Sequence, residues 1–200
     1  MFYGCSSLKS IDLSFLSDSP ITDNAIMFGG CSSLTSIDFT PLKGAKLTDL
    51  GGLFQYCSSL TTVDFSPLNT ENVTDMAYMF RKCTSLKEID LSCFNNNPNL
   101  RGIEGMFEDC SSLEKANLEN FDTAHVKYMF NLFSGCSSLK DLNLKGFSTA
   151  SAVEAYWMFK DCASLKTLDL SGFDTRKMVR MENLIEGCTS LEEYDVSTFK

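Results

Sequence analysis

MFRKCTSLKEIDLS, residues 79–92, returns along the chain as MFGGCSSLTSIDFT from residue 27, LFQYCSSLTTVDFS from 53 and MFKDCASLKTLDLS from 158. Self-similarity at a fixed period marks an array of stacked units, so the period is read before any local propensity. The cysteines supply the ruler. Cys5, Cys31, Cys57, Cys83, Cys110, Cys136, Cys162 and Cys188 are 26, 26, 26, 27, 26, 26 and 26 residues apart, and only Cys93 lies off the grid. The chain reads as about eight 26-residue repeats.

Three residues after each grid cysteine stands a leucine: Leu8, Leu34, Leu60, Leu86, Leu113, Leu139, Leu165 and Leu191. Three further on comes the column Ile11, Ile37, Val63, Ile89, Ala116, Leu142, Leu168, Tyr194, and two beyond it Leu13, Phe39, Phe65, Leu91, Leu118, Leu144, Leu170, Val196. The alternation of apolar and polar residues across these columns is the period of a strand with one buried face. The second half of each unit has another period. Val73, Met76, Met79, Phe80 and Cys83 are spaced by threes and fours, as are Leu47, Leu50, Leu53, Phe54 and Val126, Met129, Leu132, Phe133. That spacing predicts a short helix with one apolar face. Between the two halves sits an apolar plug, Leu16, Leu42, Leu68, Phe94, Phe121, Phe147, Phe173, Phe199. The one extra residue falls in Asn95-Asn96-Asn97-Pro98-Asn99, a composition suited to a loop.

A 26-residue unit cannot bury a core alone, whereas stacked units share a continuous one. The expected architecture is an α/β repeat solenoid with a parallel sheet on one face and short helices on the other. At about 4.8 Å per strand, eight units span on the order of 35 Å. A parallel β-helix is the competitor, ranked second because its coils lack the three-four period. Residues 1–200 are expected to form one domain, and the start in mid-repeat and the stop at Phe199-Lys200 point to a fragment lacking its terminal caps.

The motif MF-x-x-C-x-S-L-x-x-[IL]-[DN]-L-S, followed by [FL]-[DN]-T-x-x-V-x-x-M as in Phe121 to Met129, resembles the BspA-like leucine-rich repeat family, in the variety found in mycoplasma-type surface lipoproteins as a domain of unknown function. The resemblance runs over essentially all 200 residues, departing at Ser17-Asp18-Ser19-Pro20-Ile21 and in the fourth unit. It implies a right-handed leucine-rich solenoid on large secreted or cell-surface proteins of host-associated bacteria and some protozoa, several of them regarded as adhesins. It brings no catalytic residues with it.

Cysteine is small and often buried, which suits a column where the chain turns back into the strand. Stacked thiols point the same way, against vertical disulfides. With no C-x-x-C pair and His125 as the only histidine, no metal site is expected. Cys93, at a turn beside Phe94, is read first as a turn filler and otherwise as the one thiol expected to be accessible and reactive.

Function is sought in what points outward. On the exposed strand face the units present Ser10, Asp12, Ser14; Ser36, Asp38, Thr40; Thr62, Asp64, Ser66; Glu88, Asp90, Ser92; Thr167, Asp169, Ser171; and Glu193, Asp195, Ser197. Asp12, Asp38, Asp64, Asp90, Asp169 and Asp195 form an acidic ladder, read either as solvated polar surface or as a weak cation- or ligand-binding stripe. Units five and six break it with Lys115, Asn117, Glu119 and Asp141, Asn143, Lys145. Repeat proteins place specific contacts where exposed positions diverge from the framework, so these six residues are the candidate ligand site. Tyr78 and Trp157, neighbours of the Met-Phe pair at the boundary of the expected helix, are read first as partly buried and otherwise as partner contacts.

No nucleophile elbow, zinc-protease, Walker or dinucleotide motif occurs, and the aspartates recur in one regular environment rather than two; no enzyme and no cofactor is expected. With 26 acidic and 17 basic residues the net charge is −9, which gives nucleic acid or an anionic membrane no footprint, and no apolar run reaches the roughly 18 residues of a membrane span. Two readings follow: an adhesive binding module, at the cell surface or secreted, for an extracellular protein or glycan, or a stiff spacer presenting other domains. Oligomeric state is left open.

Overall fold

The computed structural model describes residues 1–17, 19, 21–194 and 199. Asp195, Val196 and Ser197, assigned above to the ladder, the second apolar column and the strand face, and Asp18 and Pro20 of the first loop, lie outside the described residues. The chain winds as a stack of coils, each offset from the next by one sequence period. Strands β1 (Glu88–Asp90), β2 (Lys115–Asn117) and β3 (Asp141–Asn143) form a parallel sheet in which Glu88, Lys115 and Asp141 are aligned, as are Asp90, Asn117 and Asn143. Strands β4 (Thr167–Leu168) and β5 (Glu193–Tyr194) pair separately, also in parallel. In the earlier coils the same segments are joined by single bonds, Thr35 N–H to Lys9 O and Thr61 N–H to Thr35 O, and are followed by 3₁₀ turns at Ser14–Leu16 and Thr40–Leu42.

The helices expected on the opposite face are absent from the described residues. In their place run chained turns linked by a second parallel ladder, which joins Asp23 to Asp49, Asp49 to Asp75, Asp75 to Gly102, Gly102 to Tyr128, Tyr128 to Glu154 and Glu154 to Arg180. The backbone shows why. Each coil holds two residues of left-handed conformation four positions apart: Ile26 and Gly30, Gly52 and Tyr56, Tyr78 and Lys82, Gly105 and Asp109, Asn131 and Gly135, Trp157 and Asp161, Asn183 and Gly187, all with φ between +55° and +77°. An α-helix requires φ near −63° throughout. The N–H groups alternate accordingly. Met76, Tyr78, Phe80 and Lys82 donate to Gly102, Glu104, Met106 and Glu108 of the next coil, while Met79, Arg81 and Cys83 donate three residues back within their own coil. A helix would direct every N–H four residues back in its own coil and leave nothing to bind the stack. The three-four spacing is real, since Met76, Met79, Phe80 and Cys83 are all fully buried, but chained turns produce it as well as a helix does.

Three internal columns hold the coils together. Phe2, Phe28, Phe54, Phe80, Phe107, Phe133 and Phe159 stack ring on ring with centroids 5.2–5.9 Å apart and planes within 18°. The cysteines form the second. Each Sγ–H donates to the carbonyl of a phenylalanine in the preceding coil: Cys31 to Phe2, Cys57 to Phe28, Cys83 to Phe54, Cys110 to Phe80, Cys136 to Phe107, Cys162 to Phe133 and Cys188 to Phe159, at 3.0–3.2 Å. That carbonyl already accepts the N–H of its own coil's cysteine, as Phe28 O does from Cys31; the sulfur uses the remaining lone pair. The third column is buried threonine. Thr123 Oγ1 donates to Ser148 O and accepts from Ser148 N, and Thr149 does the same with Asp174. At the longer unit Asn97 substitutes, its Nδ2 donating to Thr70 O.

Cys93 corrects an expectation. It is partly buried against the core, and burial pushes its thiol up to about 11, with Cys57 in the grid at about 12. The thiolate is the reactive form, so Cys93 is protected; Cys5 is the exposed cysteine. Brief treatment of the native protein with iodoacetamide at pH 8, read by peptide mass spectrometry, is expected to label Cys5 well before Cys93 and Cys57, which become labelled only on unfolding.

Candidate functional site

The six divergent residues of the strand face meet. Pairing of β2 with β3 sets Lys115 beside Asp141, Nζ to Oδ2 3.8 Å, and Asn117 beside Asn143, whose Nδ2 donates to Asn117 Oδ1 at 3.3 Å. One step on, Lys145 Nζ lies 2.7 Å from Glu119 Oε1, and Asn143 Nδ2 is 3.5 Å from the other Glu119 oxygen. That contact holds the Glu119 carboxyl below its usual range through hydrogen bond and charge, and raises the Lys145 ammonium by the same two causes. Both pairs are open to solvent, where ion pairs add little to stability. Their effect is positional, fixing two cross-strand pairs of opposite polarity, Lys115 with Asp141 and Glu119 with Lys145, on either side of the Asn117–Asn143 contact.

These residues line two depressions. One, of about 490 Å³, runs over β1 to β3 and is lined by Val63, Ile89 and Ala116 between Glu88, Asp90 and Lys115. The other, of about 560 Å³, lies between β3 and β4, which no ladder joins among the described residues, and it bares Leu142 and Leu144 beside Lys145 and Asp169. Leu118 of the preceding coil is buried where Leu144 is half exposed.

The acidic ladder has a local role the sequence reading did not assign. Oδ1 of Asp12, Asp38, Asp64, Asp90 and Asp169 accepts the N–H two residues on, from Ser14, Thr40, Ser66, Ser92 and Ser171, at 2.8–2.9 Å. Asn117 and Asn143 do the same for Glu119 and Lys145. These are Asx turns that end each strand. The hydroxyl and N–H of Ser14, Thr40 and Ser171 hold Asp12, Asp38 and Asp169 below the ordinary carboxylate range. Asparagine serves equally as acceptor, which explains its place in the column.

The turn face carries residues that sequence reasoning missed. The ladder positions Asp23, Asp49 and Asp75 each accept the N–H two residues on, from Ala25, Gly51 and Ala77. After them the pattern breaks to Gly102 and Glu104, Tyr128 and Phe130, Glu154 and Tyr156, Arg180 and Glu182. Phe130 and Tyr156 stack at 4.8 Å, Trp157 meets Tyr156 edge-on at 5.4 Å, and the Arg180 guanidinium lies 4.0 Å over the Tyr156 ring. Tyr128 is 44% exposed and Trp157 38%. Aligning the units on the residue eight before each cysteine finds this break; attention to the apolar period hid it.

Two carboxyls on this face are perturbed upward: Asp75 by burial, against the Ala77 N–H, with Asp49 adding to it, and Glu104 by burial, with Asp75 adding. Above the unfolded carboxylate values of about 4 the folded state therefore holds more protons at these groups than the unfolded state. Their contribution makes stability fall as pH rises through the raised values. Glu104→Gln is expected to raise the unfolding midpoint at pH 7 and to flatten the loss of stability between about pH 4.5 and 7, measured by denaturant titration across pH.

Among the described residues no helix is long and apolar enough to cross a membrane. The solved structures with similar folds are leucine-rich repeat proteins. The leucine-rich repeat protein of T. pallidum is 22% identical, with a TM-score of 0.52 over 82% of this chain and 68% of its own. One from Eubacterium ventriosum is 17% identical, TM-score 0.41, over 88% of this chain and 45% of its own, and a leucine-rich cell surface protein of Faecalibacterium prausnitzii is 17% identical, TM-score 0.30, over 98% and 76%. No curated protein sequence matches. The likeness to the T. pallidum protein assigns the parallel ladders and period-locked core to a leucine-rich repeat solenoid. The family described as "Mycoplasma protein of unknown function, DUF285" matches residues 1–115 and 101–200, and the chain belongs to that family.

Proposed function

We propose that this chain is a non-catalytic binding module that recognises an extracellular protein through its strand face at Lys115, Asn117, Glu119, Asp141, Asn143 and Lys145. The observation that carries the reading is their convergence: six residues at which the strand face departs from the other units meet in two cross-strand ion pairs and an asparagine pair, beside two depressions whose open lining is mostly polar. Fixed charges of both signs beside the partly open Leu142 and Leu144 suit a protein partner, the charges setting its register. Residues 1–200 act as one domain of about eight right-handed repeats, at the cell surface or secreted, in keeping with the resemblance to BspA-like proteins; no cofactor takes part.

The spacer reading has one observation in its favour. The four charges already satisfy one another, which is what a surface with no partner also does. The two readings are separated by binding the purified protein to a panel of matrix proteins, mucins and glycans, with and without calcium, beside a variant in which Lys115, Glu119, Asp141 and Lys145 are serine. Saturable binding to a protein that falls at least tenfold in the variant is the expected result. Binding to glycans alone moves the ligand class, and equal binding by the variant moves the site. Silence across the panel favours the spacer.

A further inference from the structure

Between β3 and β4 the edge of a formed sheet stands open. In the fifth coil the N–H groups of Leu118 and Asn120 donate to Asn143 O and Lys145 O of the next coil, at 3.0 and 2.8 Å, and Glu114 O accepts from Lys140 N–H. One coil on, the corresponding Leu144 and Gly146 N–H groups and Lys140 O have no partner among the described residues. Asp169 O and Ser171 O, which stand where the acceptors would be, are unused there as well. The two coils are tied on either side of this gap, by Ser164 Oγ to Ser137 O at 2.7 Å and by the Thr149 bridge to Asp174. The depression of about 560 Å³ lies between those ties.

The side chains of the gap differ from those of its neighbours. Ala116 and Leu118 of the fifth coil are buried, whereas Leu142 and Leu144 are partly open. At the other open edge, between the third coil and β1, Val63 and Phe65 are buried. Unpaired main chain and uncovered apolar side chains thus coincide after β3. Asp169, exposed on the wall of the gap, forms no ion pair among the described residues. A strand edge with free N–H and C=O groups is a template for another strand, which gains affinity from main-chain bonds and specificity from alternate side chains. An extended segment has a side-chain period of two, so it can turn one set down onto Leu142 and Leu144 and hold the other set out beside the Asp169 carboxylate.

We infer that the partner protein enters the strand face as an extended segment that pairs with the open edge of β3, its apolar residues alternating with polar ones that include a cation facing Asp169. Leu144 and Gly146 N–H and Lys140 O take the main-chain bonds that β2 makes to β3 one coil earlier. The inference rests on the strand-face reading and deepens it, since Asn143 and Lys145 line this gap and belong to that site.

The test uses the full 200-residue chain and a fluorescein-labelled octapeptide in which valine alternates with lysine and serine. Binding is read by anisotropy at physiological ionic strength, and the site by amide hydrogen exchange in the nuclear magnetic resonance spectrum. A scrambled peptide of the same composition and a version N-methylated at every residue, which has no main-chain donors, are run beside it. In the free protein Leu144 and Gly146 are expected to exchange fast and Leu118 and Asn120 slowly; saturating peptide should slow Leu144 and Gly146 at least tenfold. Gly172→Leu places a side chain on the wall of the gap, where an added Cβ meets nothing closer than Phe147 O at 3.7 Å, and should weaken binding at least tenfold. Asp169→Asn, which keeps the acceptor of the Asx turn, should weaken it more than Glu71→Gln, which removes an equal charge from an exposed loop elsewhere. The inference is overturned if the scrambled or N-methylated peptide binds as tightly, if Leu144 and Gly146 are already protected in the free protein, or if no saturable binding occurs. Equal losses in Asp169→Asn and Glu71→Gln reveal the diffuse attraction of a chain of charge −9 and overturn it as well. The N-methylated peptide and the exchange data need no variant, so they decide the matter even where Gly172→Leu does not fold. A protein of the binding panel that loses affinity in the four-serine variant but protects neither amide would leave the strand-face reading standing and end this inference alone.

Discussion

Replacing Phe107 by alanine is expected to destabilise the fold by about 3–5 kcal/mol, the usual range for emptying a buried phenylalanine site. Phe107 is fully buried and lies between Phe80, 5.6 Å away with planes 3° apart, and Phe133, 5.2 Å away with planes 10° apart. Its carbonyl accepts from both Cys110 N–H and Cys136 Sγ–H, so the residue joins two coils through backbone as well as ring. The loss also reaches beyond one site. In a stack where each coil touches only its neighbours, stability is nearly a sum of coil and interface terms, and a weakened interface at the centre divides the array. Denaturant unfolding of the Phe107→Ala variant should therefore show a lower midpoint and a broader or two-step transition. A single transition as steep as that of the parent, shifted by under 1 kcal/mol, would show that the phenylalanine column is not what couples the coils.

Thr149→Val should cost about 1–3 kcal/mol, the range for leaving buried polar groups unpaired. The substitution keeps the volume and removes only the hydroxyl. That hydroxyl donates to Asp174 O and accepts from Asp174 N, completing both backbone bonds of a residue in the next coil. Thr149→Ser, which retains the hydroxyl and loses a methyl, should cost distinctly less. Were serine the worse of the two, packing rather than the coil-to-coil bond would account for the threonine, and hydrogen exchange at Asp174 would stay slow in the valine variant. The expected result is fast exchange at Asp174 in valine and protection in serine.

Much of the inside of this protein was legible in the residues. From Cys31 to Phe173 the cysteine ruler, the leucine three residues on, the strand columns and the apolar plug face the core where the period places them, because only stacking buries a unit of 26 residues, while Cys5 and Tyr194 in the end coils are exposed. The helix was misread for a definite reason. Apolar spacing of three and four reports which side chains face inward and says nothing of where the N–H groups go, and left-handed residues such as Ile26, Tyr78 and Trp157 are not ones that sequence rules expect in that conformation. Cys93 was misjudged because it falls off the cysteine grid at a turn, whereas its partial burial comes from packing against the core. The candidate strand-face site was visible as a break in pattern, but that Lys115 pairs with Asp141 and Lys145 with Glu119 depended on register between strands 26 residues apart. The turn-face break at Gly102 and Tyr128 was equally present and passed unread.

The sequence by itself determined the period, the shared core and the membership of each column, since hydrophobic burial acts on composition and spacing, both written along the chain. Only the tertiary structure decided how the coils are joined. A hydrogen bond from Cys110 Sγ to Phe80 O, or from Thr149 to Asp174, spans 25 to 30 residues, and no local preference encodes a partner one coil away; the partner exists because the core has already set the coils in register.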